Sequence, residues 1–153
     1  MPAVSILLPS YNYAWCIAEA IDSVLTQTFS DWELLIIDDG SHDDSLSIIQ
    51  SYVEKHPQKI TLLTHPNQEN RGLPATYQCG LAKAQGQYIA FLECDDRWQP
   101  DSLAKRMNIL STHPDVVLVY SDVEFFGEVH SPYGRRLERH FNRWLRRLPQ
   151  NRP

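Results

Sequence analysis

Residues 92–100, LECDDRWQP, gather Glu93, Asp95 and Asp96 at the end of an apolar run. Adjacent carboxylates repel one another, and a cation shared between them removes the repulsion. Hard divalent ions such as Mg²⁺ or Mn²⁺ take oxygen ligands, and one or two protein carboxylates leave coordination positions for substrate phosphates and water. Helix capping competes with this reading, since the helix dipole favours acidic residues ahead of a helix. Capping explains one carboxylate at a strand end well and three badly, so metal binding is the preferred reading. A second acidic pair, Asp38 and Asp39 in DDGSHDD, closes another apolar run. Asp-Gly-Ser also makes a good turn, and Ser41 or Asp43 a good helix N-cap. An aspartate in that place can equally accept a hydrogen bond from a nucleobase imide or hold a ribose hydroxyl.

The elements that must carry these residues alternate. AVSILLP reads as a buried strand stopped by Pro9, and YNYAWCIAEAIDSVLTQ as a helix with Ile17, Ile21, Val24 and Leu25 on one face. DWELLIID is a second strand, and the segment after DDGSHDD a helix with Leu46, Ile49 and Val53 inward. KITLLTH is a third strand. GLPATYQCGLAKAQG predicts a third helix with Leu73, Tyr77, Leu81 and Ala84 inward and Gly86 as its stop. QYIAFLE is a fourth strand, Pro100 opens a helix carried by Leu103, Met107 and Leu110, and DVVLVYSDV is a fifth strand. Strands apolar on both faces, alternating with helices, imply an α/β fold: an open, mostly parallel sheet with helices on both faces. Ligands bind such sheets beyond the carboxyl ends of the strands, where Pro9, Tyr11, Asp38, Asp39 and the 93–96 cluster fall.

Several chemistries are excluded by missing spacings. Neither G-x-G-x-x-G after the first strand nor G-x-x-x-x-G-K-[ST] occurs, so a phosphate would be held through metal. Ser102 to Lys105 reads S-x-x-K without a companion K-T-G, which marks it as helix surface. The six histidines show no ligand spacing and read as solvated or capping residues. Cys16, Cys79 and Cys94 are odd in number and far apart, as expected of reduced thiols, two of them in the core.

The 153 residues are enough for one domain with a substantial core. No apolar run approaches the roughly 18 residues of a membrane span, and no basic leader precedes the first strand. The expected location is cytosolic or cytosol-facing. A net charge of -5 hides an asymmetry: residues 1–134 hold 7 Lys/Arg against 18 Asp/Glu, while residues 135–153 hold 7 Arg against Glu138 alone. An acidic body argues against nucleic acid as its partner. The expected division is a domain over residues 1–122 and a basic helical tail over 123–153. Within that tail, residues 135–148 space Leu137, Phe141, Trp144, Leu145 and Leu148 as an arginine-rich amphipathic helix. Packing on the domain or on a second copy of the chain is favoured over an anionic membrane surface, because amphipathic helices usually face a core.

The blocks VSILLPSYN, AIDSVLTQTFSDWELLIIDDGSHDDS, NRGLPATYQCGLAKAQGQYIAFLECDD and PDSL resemble family 2 glycosyltransferases in order and spacing, over residues 3 to about 122. The resemblance implies a Rossmann-like nucleotide-diphospho-sugar transferase fold of the A type, binding a nucleotide-sugar donor, UDP-linked by expectation. It further implies that Pro9 and Tyr11 contact the nucleotide, Tyr11 by stacking, that Asp39 reads a uracil or thymine imide, and that Arg71 reaches the base or a phosphate. Asp95 would contact the ribose and share the metal, Asp96 would ligate it directly, and Glu93 stands where relatives often have Asp. Transfer in this family is typically inverting, with a carboxylate base deprotonating an acceptor hydroxyl. The acceptor half that supplies that base, on the order of 100 residues in size, would follow residue 122. There the chain instead enters its arginine-rich segment, so a truncated acceptor half is expected, with a saccharide, lipid or protein acceptor and cell-envelope polysaccharide synthesis as the setting. A binding or assembly module without transferase activity is the alternative.

Overall fold

A computed structural model describes residues 1–124, and the amphipathic segment 135–148 lies outside them. Four strands, Val4–Ser10 (β1), Trp32–Asp38 (β2), Ile60–Thr64 (β3) and Tyr88–Phe91 (β4), form one sheet in the order β3-β2-β1-β4, and every pair is parallel. Helices Ile17–Leu25 (α1), Ser45–Lys55 (α2), Leu73–Leu81 (α3) and Ser102–Thr112 (α4) connect and follow them. The sheet grows from β1 to β3 in one direction, and the chain then crosses back to β4 on the other side of β1. Right-handed crossovers therefore put α1 and α2 on one face and α3 on the opposite one. The two-sided core follows: Ile6, Leu8, Leu34 and Ile36 pack with Ile17, Ile21, Val24, Ile49 and Leu103, while Leu7, Leu35 and Ile37 pack with Tyr77, Cys79 and Ala84.

Pro9 does not stop β1, which runs one residue further to Ser10. Along a parallel strand alternate residues turn their backbone groups to one neighbour, and Leu7 and Pro9 face β4: their carbonyls accept from Leu92 N and Cys94 Sγ. The β1–β4 ladder ends at Leu7 and Phe91, so the N–H that Pro9 lacks would have had no strand partner there.

Helix α3 presents the face its periodicity predicts only in part: Tyr77 and, past the helix end, Ala84 pack on the sheet. Leu73 and Leu81 are exposed, whereas Thr76 and Gly80 are buried. A Cβ on Gly80 would lie 2.9 Å from Ile37 Cδ1 and 3.1 Å from Leu7 Cδ2, so the missing side chain lets the helix close on the sheet. Nor does Gly86 stop the helix, which ends at Leu81. Gly86 instead lies against β1, where a Cβ would come 2.5 Å from Ser5 N, and its own N–H donates to Ser5 Oγ at 2.8 Å.

The fifth strand expected in DVVLVYSDV is not formed. Residues 116–124 are irregular, with Val117 93% and Leu118 76% exposed. A β-branched run becomes a strand only where a ladder partner and a packing surface are supplied, and no strand of the described sheet lies beyond β4. Among the described residues no helix is long and apolar enough to cross a membrane.

Candidate functional site

The reversal in strand order falls between β1 and β4, and at the carboxyl edge the loop after β2 contacts the loops after β1 and β3, while the loop after β4 contacts α1. In open α/β sheets the crevice at such a reversal takes the ligand. Two of the loops are joined by short polar contacts. Asp38, buried at the end of β2, accepts from Ser41 N at 3.0 Å and from Ser41 Oγ at 2.5 Å. Ser41 Oγ in turn accepts from Asn12 N at 3.0 Å, and Asn12 Oδ1 accepts from His42 N at 2.8 Å. Asn12 does this with φ at 58°, a left-handed conformation that asparagine tolerates better than most residues. Asp43 accepts from Ala14 N and Ser45 N, each at 3.0 Å, which joins the same two loops again. Asp38, Ser41 and Asp43 thus fasten Tyr11–Ala14 to the β2–α2 loop. Tyr11 itself is left 41% exposed beside Pro9, which is buried.

Asp39, one residue further on, is 5% exposed and bound to the β3–α3 loop. Its Oδ1 accepts from Arg71 N at 2.7 Å and its Oδ2 from Gly72 N at 2.9 Å. His65 Nε2, at the end of β3, stands 3.3 Å from the same Oδ1 and 3.2 Å from Thr76 Oγ1. Gly40 makes this contact between loops close: its φ is +77°, and a Cβ there would meet Gln68 O at 2.5 Å. The backbone of Arg71 is therefore fixed by Asp39, while its side chain is exposed.

On the other side of β1, Glu93, Asp95 and Asp96 follow β4. The Tyr77 hydroxyl donates to Glu93 Oε1, and the Tyr77 ring meets Phe91 edge to face at 5.1 Å. Burial, then the Glu93 contact, pushes the Tyr77 hydroxyl pKa far up, so it remains a donor at all ordinary pH. Asp95 and Asp96 are exposed. Partial desolvation, then the charge of Asp95, raises the Asp96 pKa. Tyr13 feels the same cluster, its pKa raised by desolvation first and by Asp95 next. Its ring lies 6.1 Å from that of Trp15, which is 75% exposed. Arg97 pairs with Glu19 at 2.8 Å and ties this loop to the first turn of α1. Cys16 and Cys94 are buried thiols, as expected of two of the three cysteines, and burial pushes Cys16 up to about 11.

Of the three carboxylates after β4, Asp95 and Asp96 are the expected metal ligands. Among the described residues no three His, Cys, Asp or Glu side chains come together as a metal cage, and Glu93 is occupied by Tyr77. Asp95 and Asp96 still fit a hard cation. They are exposed, adjacent and mutually repelling, and such an ion needs only one or two protein carboxylates when phosphates and water complete its shell.

Of the residues singled out in the sequence, Pro9, Tyr11, Asp39, Arg71, Asp95 and Asp96 all fall at the carboxyl edge of the sheet. Asp39 and Arg71 are brought into contact, and Asp95 and Asp96 remain a separate group across β1. Sequence reasoning passed over Thr76, gave Tyr77 a packing place only, and read His65 as solvated or capping, whereas it is buried. No metal spacing marks His65, yet its place at the end of KITLLTH was a usable signal, because the strand-end rule applies to β3 as it does to β2.

The chain matches the glycosyl transferase family 2 profile over residues 5–152. It is 34% identical over 121 residues to the UDP-Glc:alpha-D-GlcNAc-diphosphoundecaprenol beta-1,3-glucosyltransferase of Escherichia coli, covering 79% of this chain and 46% of that one. Among solved structures it resembles S. aureus TarS in complex with UDP, at 26% identity and a TM-score of 0.67, over 74% of this chain and 33% of that one. It also resembles a Pyrobaculum calidifontis mannosyltransferase in complex with GDP-Man and Mn²⁺, at 28% identity and a TM-score of 0.66, over 72% of this chain and 32% of that one. The chain spans about a third to just under half of the length of the relatives it matches. With the parallel sheet, the opposed helices and the strand-end site already described, the match establishes the family: this chain is a family 2 glycosyltransferase domain with the A-type glycosyltransferase fold.

Proposed function

We propose that the domain binds a nucleotide-sugar donor, a UDP-sugar, for inverting transfer to an acceptor hydroxyl. The observation that carries this reading is the placement of Asp39 and the Asp95–Asp96 pair on opposite sides of β1, at the strand ends where such sheets take ligands. Asp39 would accept the imide N–H of the base, Tyr11 would stack on it, Pro9 would line its pocket, and the exposed Arg71 side chain would reach the base or a phosphate. Asp96 would ligate Mg²⁺ or Mn²⁺, while Asp95 would divide its oxygens between the ion and the ribose. When bound, the ion neutralises charge on the departing nucleoside diphosphate. The TarS complex with UDP and the mannosyltransferase complex with GDP-Man and Mn²⁺ support the donor class and the ion.

Inversion requires a base that takes the acceptor proton as its oxygen attacks the anomeric carbon. No described residue is assigned that role: Asp122 and Glu124 are exposed on the irregular segment after α4. The name of the E. coli relative gives a diphosphoundecaprenol-linked acceptor, which supports a lipid-linked saccharide of cell-envelope polysaccharide synthesis as the acceptor here. That setting would place the domain in the cytosol, at the inner face of the membrane. The second reading is a chain that binds donor without transferring it. Incubating the full chain with labelled UDP-sugars, Mn²⁺ and a panel of lipid-diphosphate and saccharide acceptors separates the two. Labelled product establishes transfer, and saturable donor binding without product in any acceptor favours the binding module.

A further inference from the structure

We infer that His65 is a positioning residue that makes the site selective for a base presenting an imide N–H, an inference that rests on Asp39 as the base reader. The protonation of His65 is fixed by its neighbours. Thr76 Oγ1 donates its hydrogen to Gly72 O at 3.0 Å, so toward His65 it can only accept. Ionised Asp39 has no proton to give. Nε2, 3.2 Å from Thr76 Oγ1 and 3.3 Å from Asp39 Oδ1, therefore carries the hydrogen that both acceptors share.

A count of lone pairs gives the consequence. A carboxylate offers about four acceptor positions. On Asp39 Oδ1 one is taken by Arg71 N and one by His65 Nε2; on Oδ2 one is taken by Gly72 N. Among the described residues a single acceptor position remains, on Oδ2 of a side chain buried at the strand ends. A carboxylate free to rotate could take either the ring N–H of uracil or the exocyclic amine of cytosine, since both are donors. A carboxylate held from three sides, with one position open, accepts a donor from one direction. The two backbone N–H groups hold one edge of the Asp39 carboxylate, and the imidazole supplies the third hold, from β3.

Calorimetry of UDP and of CDP with Mn²⁺, on the full chain and its variants, tests this. The two ligands share ribose and diphosphate, so their affinity ratio isolates the base. His65→Leu is expected to lower the UDP:CDP ratio about tenfold, and His65→Gln, whose amide can put a donor near the Nε2 position, to keep it within about twofold. Thr76→Val, which leaves the imidazole to Asp39 alone, is expected to keep the ratio as well. A folded His65→Leu with the wild-type ratio overturns the inference, as does a His65→Gln variant that loses the ratio as fully as Leu. Should the Leu variant not fold, His65→Asn, too short to reach Asp39, replaces it, and equal ratios for Asn and Gln overturn the inference. Asp39→Asn separates the two levels: unchanged UDP affinity there refutes base reading by Asp39 itself, whereas lost affinity with indifferent His65 variants refutes only the role of His65.

Discussion

Asp96 bears its charge at a disadvantage, because partial desolvation and the neighbouring Asp95 carboxylate raise its pKa above the ordinary value. Below the unfolded-state pKa the group is protonated in both states and this penalty is absent. As pH rises through the raised folded-state value, the penalty appears and the metal-free domain loses stability. A divalent cation reverses the effect by favouring the ionised form. Asp96→Asn is therefore expected to raise the melting temperature of the metal-free protein at pH 7 while weakening Mn²⁺-dependent UDP binding about tenfold or more. A variant that melts lower than wild type and binds as well would contradict both halves. On acidification, Mn²⁺ affinity is expected to fall at a pH above the ordinary aspartate range. At this scale the strand-end carboxylates were legible in the sequence, but their uses were not. Asp38 and Asp39 are adjacent and look alike, yet one is used up by Ser41 and the other holds the β3–α3 loop. Tyr77, sixteen residues from Glu93, engages one oxygen of that carboxylate. Such pairings depend on loops meeting in space, which no local spacing records.

At the level of elements, Gly86 illustrates how a local signal can name the right residue for the wrong reason. Glycine after a helical pattern suggests a stop, but this one is required by the close approach of the α3–β4 connection to β1. Its Cβ would come 2.5 Å from Ser5 N and 2.7 Å from Val4 C, both backbone atoms of a central strand that cannot yield cheaply. Gly86→Ala is expected to destabilise the fold by about 1–3 kcal/mol, as urea unfolding would measure. A neutral or stabilising result would show that the approach is looser than described. Four strands and four helices were recoverable from their apolar runs and spacing, although β4 has no fully buried residue and α3 buries only Thr76 and Gly80. The fifth strand was not, because an apolar run specifies a strand only together with a neighbour to pair with. The inward face of α3 was legible only in part: Tyr77 and Ala84 pack on the sheet as expected, but the closest contact is made by small residues, Thr76 and Gly80, which carry no hydrophobic signal.

Taken whole, the sequence joins an acidic body to a basic segment, and the family assignment covers nearly all of both. The relatives it matches are roughly twice as long. The proposed function requires one site to take both a nucleoside diphosphate and a divalent ion, with Asp95 and Asp96 as the link between them. Titration calorimetry of UDP with Mn²⁺, comparing the full chain with a variant carrying both Asp95→Ala and Asp96→Ala, tests that claim most directly. Saturable, Mn²⁺-dependent binding by the wild-type chain and its loss in the variant is the predicted result; equal binding by the two proteins would contradict the account.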